Sequence, residues 1–161
     1  MSIPYEFMLK KINNEYYLCS APCKELANII KSKIELNDIN IEKRYFYSLN
    51  KNAYSFTLKG KYDAQNILTL KIFNQIVTID FINNKIKCGN YINHLSLLKD
   101  ELNLNIIVDK TSIEIASDEG KILFMVTDII IDYRHKKFII SSLKPYLLSN
   151  INIISYKQIF K

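Results

Sequence analysis

The residues able to do chemistry are few, and their spacing is uninviting for catalysis. Asp109 and Glu114 are the natural pair of carboxylates. A retaining glycosidase needs such a pair about 5 Å apart across a scissile bond. Here they flank one short turn with Lys110 beside them, and nothing in the pattern implies a cleft. Acids at turns usually cap local backbone or stand in solvent, so a structural role is expected for both. His94 and His135 lack the neighbouring Ser–Asp or Cys arrangement of a nucleophilic site. His135 sits in Asp132-Tyr133-Arg134-His135-Lys136-Lys137, which reads as a charged hairpin turn. The three cysteines, Cys19, Cys23 and Cys88, are odd in number, lack the short paired spacing of a zinc site, and have no His close by in sequence. They read as buried free thiols. No metal and no other cofactor is expected.

Charge and aromatics narrow the ligands. The 22 basic residues against 16 acidic ones give a net charge of +6, and only Arg44 and Arg134 are Arg. Arg is the side chain that grips phosphate and guanine bidentately. With Lys spread along a chain rich in Ile and Asn, the basic excess reads as diffuse, and no nucleic-acid partner is expected. Eleven Tyr and eight Phe permit stacking on sugars, although most fall on strand positions, where packing is their commoner use. Tyr45-Phe46-Tyr47 is the exception. Three successive strand residues cannot all face inward, so at least one is exposed or covers a partner. The first residues lack a secretion signal and no run of 18 apolar residues occurs, which predicts a cytoplasmic chain as given, with no membrane contact, though a parent protein could be secreted.

The elements that must position these groups are mostly strands. With 161 residues and 48% hydrophobic content the chain has the size of one domain able to bury its own core. Helical spacing occurs once, at Leu26, Ile29 and Ile30 after Ser20 and Pro22, and predicts a short helix. Beyond Ile34 the period is two. Tyr54, Phe56 and Leu58 alternate with Ser55, Thr57 and Lys59; Leu102, Leu104, Ile106 and Val108 alternate with Asn103 and Asn105. Val77, Ile79 and Phe81 share a face before Asn83-Asn84, a pair tolerant of positive φ and thus a hairpin signal. Asn takes the turn positions that Gly would otherwise fill, also at Asn13-Asn14, Asn50, Asn52 and Asn150. Ten to twelve strands follow the helix. The expected fold is all-β, a two-sheet antiparallel β-sandwich of jelly-roll or lectin-like form, with residues 1–33 as a linker carrying the helix and residues 34–161 as the sandwich.

One stretch is specific: Ile106-Ile107-Val108-Asp109-Lys110-Thr111-Ser112-Ile113-Glu114-Ile115, then Ser117-Asp118-Glu119-Gly120 and the apolar run Ile122 to Val126. It reads as strand, tight turn, strand, Gly-containing turn, strand. Asp109 and Ser112 can close the first turn on local backbone, and Gly120 suits a left-handed position in the second. The stretch resembles the signature of the C-terminal β-sandwich module of glycoside hydrolase family 32, the invertases, levanases and sucrose-6-phosphate hydrolases. There an aliphatic run leads into Asp-Arg/Lys-Ser-Ser-Val/Ile-Glu and a turn ending in Gly. Ala116 stands where the family usually has Phe, and Asp118-Glu119 where it has Asn-Asp. A second match lies far away, since Ser2-Ile3-Pro4-Tyr5-Glu6-Phe7 is similar to the family's Ser-Ile/Leu-Pro-Arg-Glu-Leu, with Tyr5 replacing Arg. Pro22-Cys23-Lys24-Glu25-Leu26 is similar to the Pro-Val-Lys-Glu-Leu that begins the family's linker helix.

That resemblance implies a division of labour. The family's catalytic carboxylates lie in Asn-Asp-Pro-Asn-Gly, Arg-Asp-Pro and Glu-Cys motifs of an N-terminal five-bladed propeller. In these 161 residues the prolines follow Ile3, Ala21 and Lys144, and the cysteines follow Leu18, Pro22 and Lys87, so none of those motifs occurs. The implied chain is not itself an enzyme but a module that stabilises or docks to a catalytic propeller. A fructan-binding lectin-like module and an oligomerisation domain are the alternatives. Asp109, Ser112, Glu114 and Gly120 are then structural, and Tyr5, Tyr45, Phe46 and Tyr47 are the candidates for an interface or a sugar contact. If residues 1–30 close against a propeller, Ile3, Tyr5, Phe7 and Leu9 should leave an apolar patch when alone, and the chain should self-associate.

Overall fold

The computed structural model describes residues 5–12, 14–50, 53–95, 100–117, 122–127 and 129–157. Strands β1 (Tyr5–Ile12) and β2 (Glu15–Pro22) form a hairpin that is a sheet of its own. A 3-10 segment, Lys24–Ile29, follows and buries none of its residues. The chain turns extended at Ile30 and enters β3 (Ile30–Ile41), then β4 (Arg44–Ser48), β5 (Tyr54–Lys61), β6 (Ile67–Ile72), β7 (Gln75–Asp80), β8 (Lys85–Cys88) and β9 (Tyr91–His94). The remaining strands are β10 (Glu101–Val108), β11 (Ile113–Ser117), β12 (Ile122–Val126), β13 (Lys137–Ser142) and β14 (Tyr146–Tyr156).

Two six-stranded antiparallel sheets result. The first has the order β12-β11-β10-β5-β14-β3 and the second β4-β13-β6-β7-β8-β9. The fold is the all-β sandwich that the alternation predicts, with a short helical segment ahead of it. Period two sends one residue in two inward. Phe56, Leu58, Leu104, Ile106, Ile113 and Ile153 of the first sheet meet Leu68, Leu70, Val77, Ile79, Phe138 and Ile140 of the second in one core. Rings link the layers: Phe56 of β5 stacks on Phe138 of β13 with centroids 4.5 Å apart, and Phe81 stacks on Tyr146 at 5.9 Å. Such pairs add about 0.5–1.5 kcal/mol each beyond the area they bury.

Polar residues fix the connections. Asn14 and Asn84 take positive φ, 67° and 50°, as their hairpin positions predict. Asp80 locks the β7–β8 turn by accepting from the Asn83 backbone N–H and side-chain amide at 3.0 and 2.8 Å. Asn66 is fully buried and satisfied at every polar atom: its amide donates to Asp63 and the Lys144 carbonyl, and its oxygen accepts from the Ile67 and Lys144 N–H groups. It ties the β5–β6 loop to the β13–β14 loop. Phe73 is a bulky residue at φ 54°, a costly conformation. Burial of its ring, edge-on to Tyr133 at 5.0 Å, offsets that strain.

The hairpin β1–β2 is the element that period two does not reveal. Phe7, Leu9 and Leu18 lie on one face while Met8 and Cys19 lie on the other. Apolar residues on both faces erase the alternation.

Candidate functional site

The motif stretch forms β10, a turn, and β11. The Asp109 N–H donates to the Ser112 carbonyl at 3.0 Å, so main chain closes the turn, and the Lys110 carbonyl receives the Ile131 N–H at 3.3 Å. The β12–β13 connection is thereby pinned on the motif turn. Burial, and next to it the Asp109 charge, raise the Tyr133 phenol above the ordinary tyrosine range. Ser112, Ile113 and Ile115 are buried. Glu114 leaves β11 on the side away from the core, between Ile107 of β10 and Met125 of β12. It is 2% exposed, and neither carboxylate oxygen has a hydrogen-bond partner among the described residues. Asp109 and Glu114 do not face one another across a cleft: one belongs to the turn, the other to the outer face of a strand. Gly120 lies outside the described residues.

The hairpin carries the most conspicuous surface. Register places Phe7 opposite Ser20, Leu9 opposite Leu18 and Lys11 opposite Tyr16, all on one face. Phe7, Leu9, Leu18 and Tyr16 are each 65–69% exposed. On the opposite face Cys19 is fully buried and Met8 half-buried. The Tyr5 backbone opens β1 at the Pro22 end of this ribbon, and its side chain lies outside the described residues, as does Ile3.

The aromatic triplet sits on β4, an edge strand. Tyr45 and Tyr47 turn inward and pack against the core half-buried, while Phe46 points out, 65% exposed. Burial, followed by the neighbouring Tyr47, raises the Tyr45 phenol. Tyr47 also lines a cleft of about 170 Å³ between β3 and β4, shared with Lys31, Ser32, Asn50, Tyr54 and Ser155. Its polar groups partly satisfy one another: the Ser32 and Ser155 hydroxyls are 2.6 Å apart, and the Asn50 N–H donates to the Tyr54 hydroxyl at 2.8 Å. Ring faces, hydroxyls and an amide around a small volume are the groups that hold a polyol.

The histidines take no part in either surface. His94 Nδ1 lies 2.8 Å from the Asn84 carbonyl, and exposed His135 lies 3.7 Å from Asp132, whose carboxylate is held down at about 2 by the Arg134 guanidinium. Among the described residues no group of His, Cys, Asp and Glu is placed to hold a metal ion, and no helix is long and apolar enough to cross a membrane.

No family model matches the chain, and no curated protein sequence matches it. Solved structures do. An exo-inulinase from Aspergillus awamori matches over 99% of this chain and 36% of its own, with a TM-score of 0.80 and 14% identity. A β-fructofuranosidase from Schwanniomyces occidentalis matches over 98% of this chain and 40% of its own, with a TM-score of 0.75 and 13% identity. For a sucrose-6-phosphate hydrolase from Lactobacillus gasseri the shares are 96% and 33%, the TM-score 0.67 and the identity 16%. These are enzymes of the glycoside hydrolase family that the two motifs resemble, and the resemblance holds at the level of the fold. The chain spans 33–40% of the length of each, so the matched region belongs there to a larger chain.

Proposed function

We propose that this chain is a non-catalytic β-sandwich module of a fructan- or sucrose-cleaving glycoside hydrolase. It docks through the β1–β2 hairpin onto a five-bladed catalytic propeller and stabilises it. The observation that carries this reading is the hairpin face. A two-stranded ribbon is marginal alone in water, and this one continues neither sandwich sheet while holding Phe7, Leu9, Leu18 and Tyr16 in solvent. Contiguous apolar surface of that kind marks an interaction site. The missing catalytic motifs and the fold shared with part of fructan- and sucrose-acting enzymes support the same reading.

The experiment is reconstitution with the catalytic propeller, whether it precedes this sequence in one chain or is encoded beside it. The two parts are expected to co-purify, with Leu9→Ser and Leu18→Ser abolishing the complex but not the fold of the sandwich. The chain alone is expected to release no fructose from sucrose, sucrose 6-phosphate, inulin or levan. A propeller that ignores the chain, or hydrolysis that survives repurification and vanishes in Glu114→Gln, refutes the proposal.

A second reading, a lectin-like fructan-binding module, is favoured by the Tyr47 cleft between β3 and β4. Titration with fructo-oligosaccharides separates the two. Saturable binding that is lost in Tyr47→Ala with the hairpin variants unaffected moves the second reading ahead.

A further inference from the structure

The outer face of the second sheet gathers groups that lie far apart in sequence. Its register aligns Phe46, Ile139, Lys71 and Ile76 in one row across β4, β13, β6 and β7. The next row runs Arg44, Ser141, Thr69, Thr78 and Lys87. Between the rows lies a shallow groove of about 330 Å³, lined by Arg44, Thr69, Lys71, Ile76, Ile139 and Ser141. Ile139 is its nearly buried floor, and Phe46 and Ile76 stand exposed beside it.

Among the described residues no carboxylate pairs with the charges in the groove. Of the two arginines in the chain, Arg134 is committed to Asp132, donating through Nε and Nη2 at 2.8–3.1 Å. Arg44 and Lys71 have no ion-pair partner among the described residues. The acid on this face, Asp80, is one row further along, opposite Lys85, and is occupied by Asn83.

From this we infer that the groove binds a phosphorylated sugar, with the phosphate between Arg44 and Lys71 and the sugar ring over Phe46 and Ile139. Two cations match the charge of about −1.5 to −2 that a phosphomonoester carries at neutral pH, and Arg supplies the planar fork that phosphate favours. The Ser141 hydroxyl, which donates to the Thr69 carbonyl at 3.5 Å and keeps its lone pairs free to accept, and Thr69 line the floor beside the sugar hydroxyls. The apolar floor has no use in holding a bare phosphate ion, whereas the C–H face of a sugar ring covers it. A single exposed ring gives one stacking platform, while a nucleic-acid strand needs several in succession. The site is separate from the hairpin and stands whether or not the chain docks to a propeller.

Calorimetric titration of the whole chain at low ionic strength tests it, with fructose 6-phosphate, fructose and inorganic phosphate as probes. Fructose 6-phosphate is expected to bind saturably, about tenfold or more tighter than inorganic phosphate, and fructose alone to show no binding. Arg44→Ala should weaken fructose 6-phosphate by about 10- to 100-fold, the effect of one charge-assisted contact. Phe46→Ala should weaken fructose 6-phosphate several-fold and leave inorganic phosphate unchanged. Both side chains are exposed, so an unchanged melting temperature certifies the fold, and Lys59→Ala, an exposed lysine of β5 in the first sheet that lines neither cleft, serves as the control with no effect. Equal binding of fructose 6-phosphate and inorganic phosphate, indifference to Arg44→Ala, or binding of single-stranded oligonucleotide in place of sugar phosphate overturns the inference, as does the absence of any saturable signal.

Discussion

Gly60 gives the sharpest test of the packing. It lies in β5, opposite Leu102 on one side and Leu148 on the other, and a Cβ there would stand 2.6 Å from Tyr146 Oη and 3.1–3.2 Å from Cε1 and Cζ. That ring is 5% exposed, donates its hydroxyl to the Lys61 carbonyl and stacks on Phe81. Gly60→Ala must therefore push the ring aside, losing the hydrogen bond, worth about 1 kcal/mol, and overpacking a filled core, about 1–3 kcal/mol. Against this stands the about 0.5–1 kcal/mol by which Ala is preferred to Gly within a strand. The net loss is about 2 kcal/mol, a fall in melting temperature on the order of 4–8 °C for a domain of this size. Tyr146→Phe removes the atom in the closest contact and the same hydrogen bond, so the two changes should not add: the double variant is expected to be about 1 kcal/mol more stable than the sum predicts. Urea unfolding of the four proteins measures the cycle. A neutral or stabilising Gly60→Ala, or strict additivity, refutes the account of why glycine stands there.

Three other outcomes follow from the same geometry. Glu114→Met should stabilise the isolated chain by about 1–3 kcal/mol, because it removes a buried carboxylate without a donor; a lower melting temperature would show that the carboxylate has a partner. Burial holds the Cys88 thiol at about 11 against its ordinary 9.0 and raises the phenols of Tyr146 and Tyr156. The unfolded chain thus releases these protons first, so stability is complete below about pH 9 and falls as pH climbs through the folded values. Tyr146→Phe should flatten that decline in urea midpoints taken between pH 8 and 11.5. With Cys19 and Cys88 buried and Cys23 half-exposed, a thiol reagent should modify Cys23 alone in the native chain; mass spectrometry showing Cys19 modified first would contradict the burial of the inner hairpin face.

What was legible in the sequence followed from burial on one face only. Tyr54 to Leu58, Leu102 to Val108 and Val77 to Phe81 each send alternate residues into one core, so their period survives in the sequence. Asn83-Asn84 declared its turn because few residues tolerate φ near 50°. The hairpin was hidden because it is apolar on both sides, and the expected helix proved a 3-10 turn that buries nothing and so lacks packing to extend it. The alternation places Glu114 outward but does not disclose that it is buried there. The basic groove was invisible for a different reason. Arg44, Lys71, Ile76 and Ser141 become neighbours only through the registers of β4, β13, β6 and β7, and a one-residue slip in any of them would send its contribution into the core.

The proposed docking face and the proposed sugar-phosphate groove are separable in the fold. The hairpin belongs to neither sandwich sheet, and the groove lies on β4, β13, β6 and β7 of the second. No strand contributes to both. Removing the exposed hairpin side chains should therefore leave the groove's geometry and affinity intact, and filling the groove should leave docking intact, since sites without shared contacts usually behave additively. The motif turn has a third task. Its Asp109–Ser112 closure sets the β10–β11 register, and its Lys110 carbonyl holds Ile131 in the connection leading to β13, a strand of the groove. A disturbed turn thus reaches the ligand face through the fold, and its effect on binding should be matched by a loss of stability. Loss of sugar-phosphate affinity at constant stability would instead place Asp109 in direct contact with the ligand and break the separation between the motif and the groove.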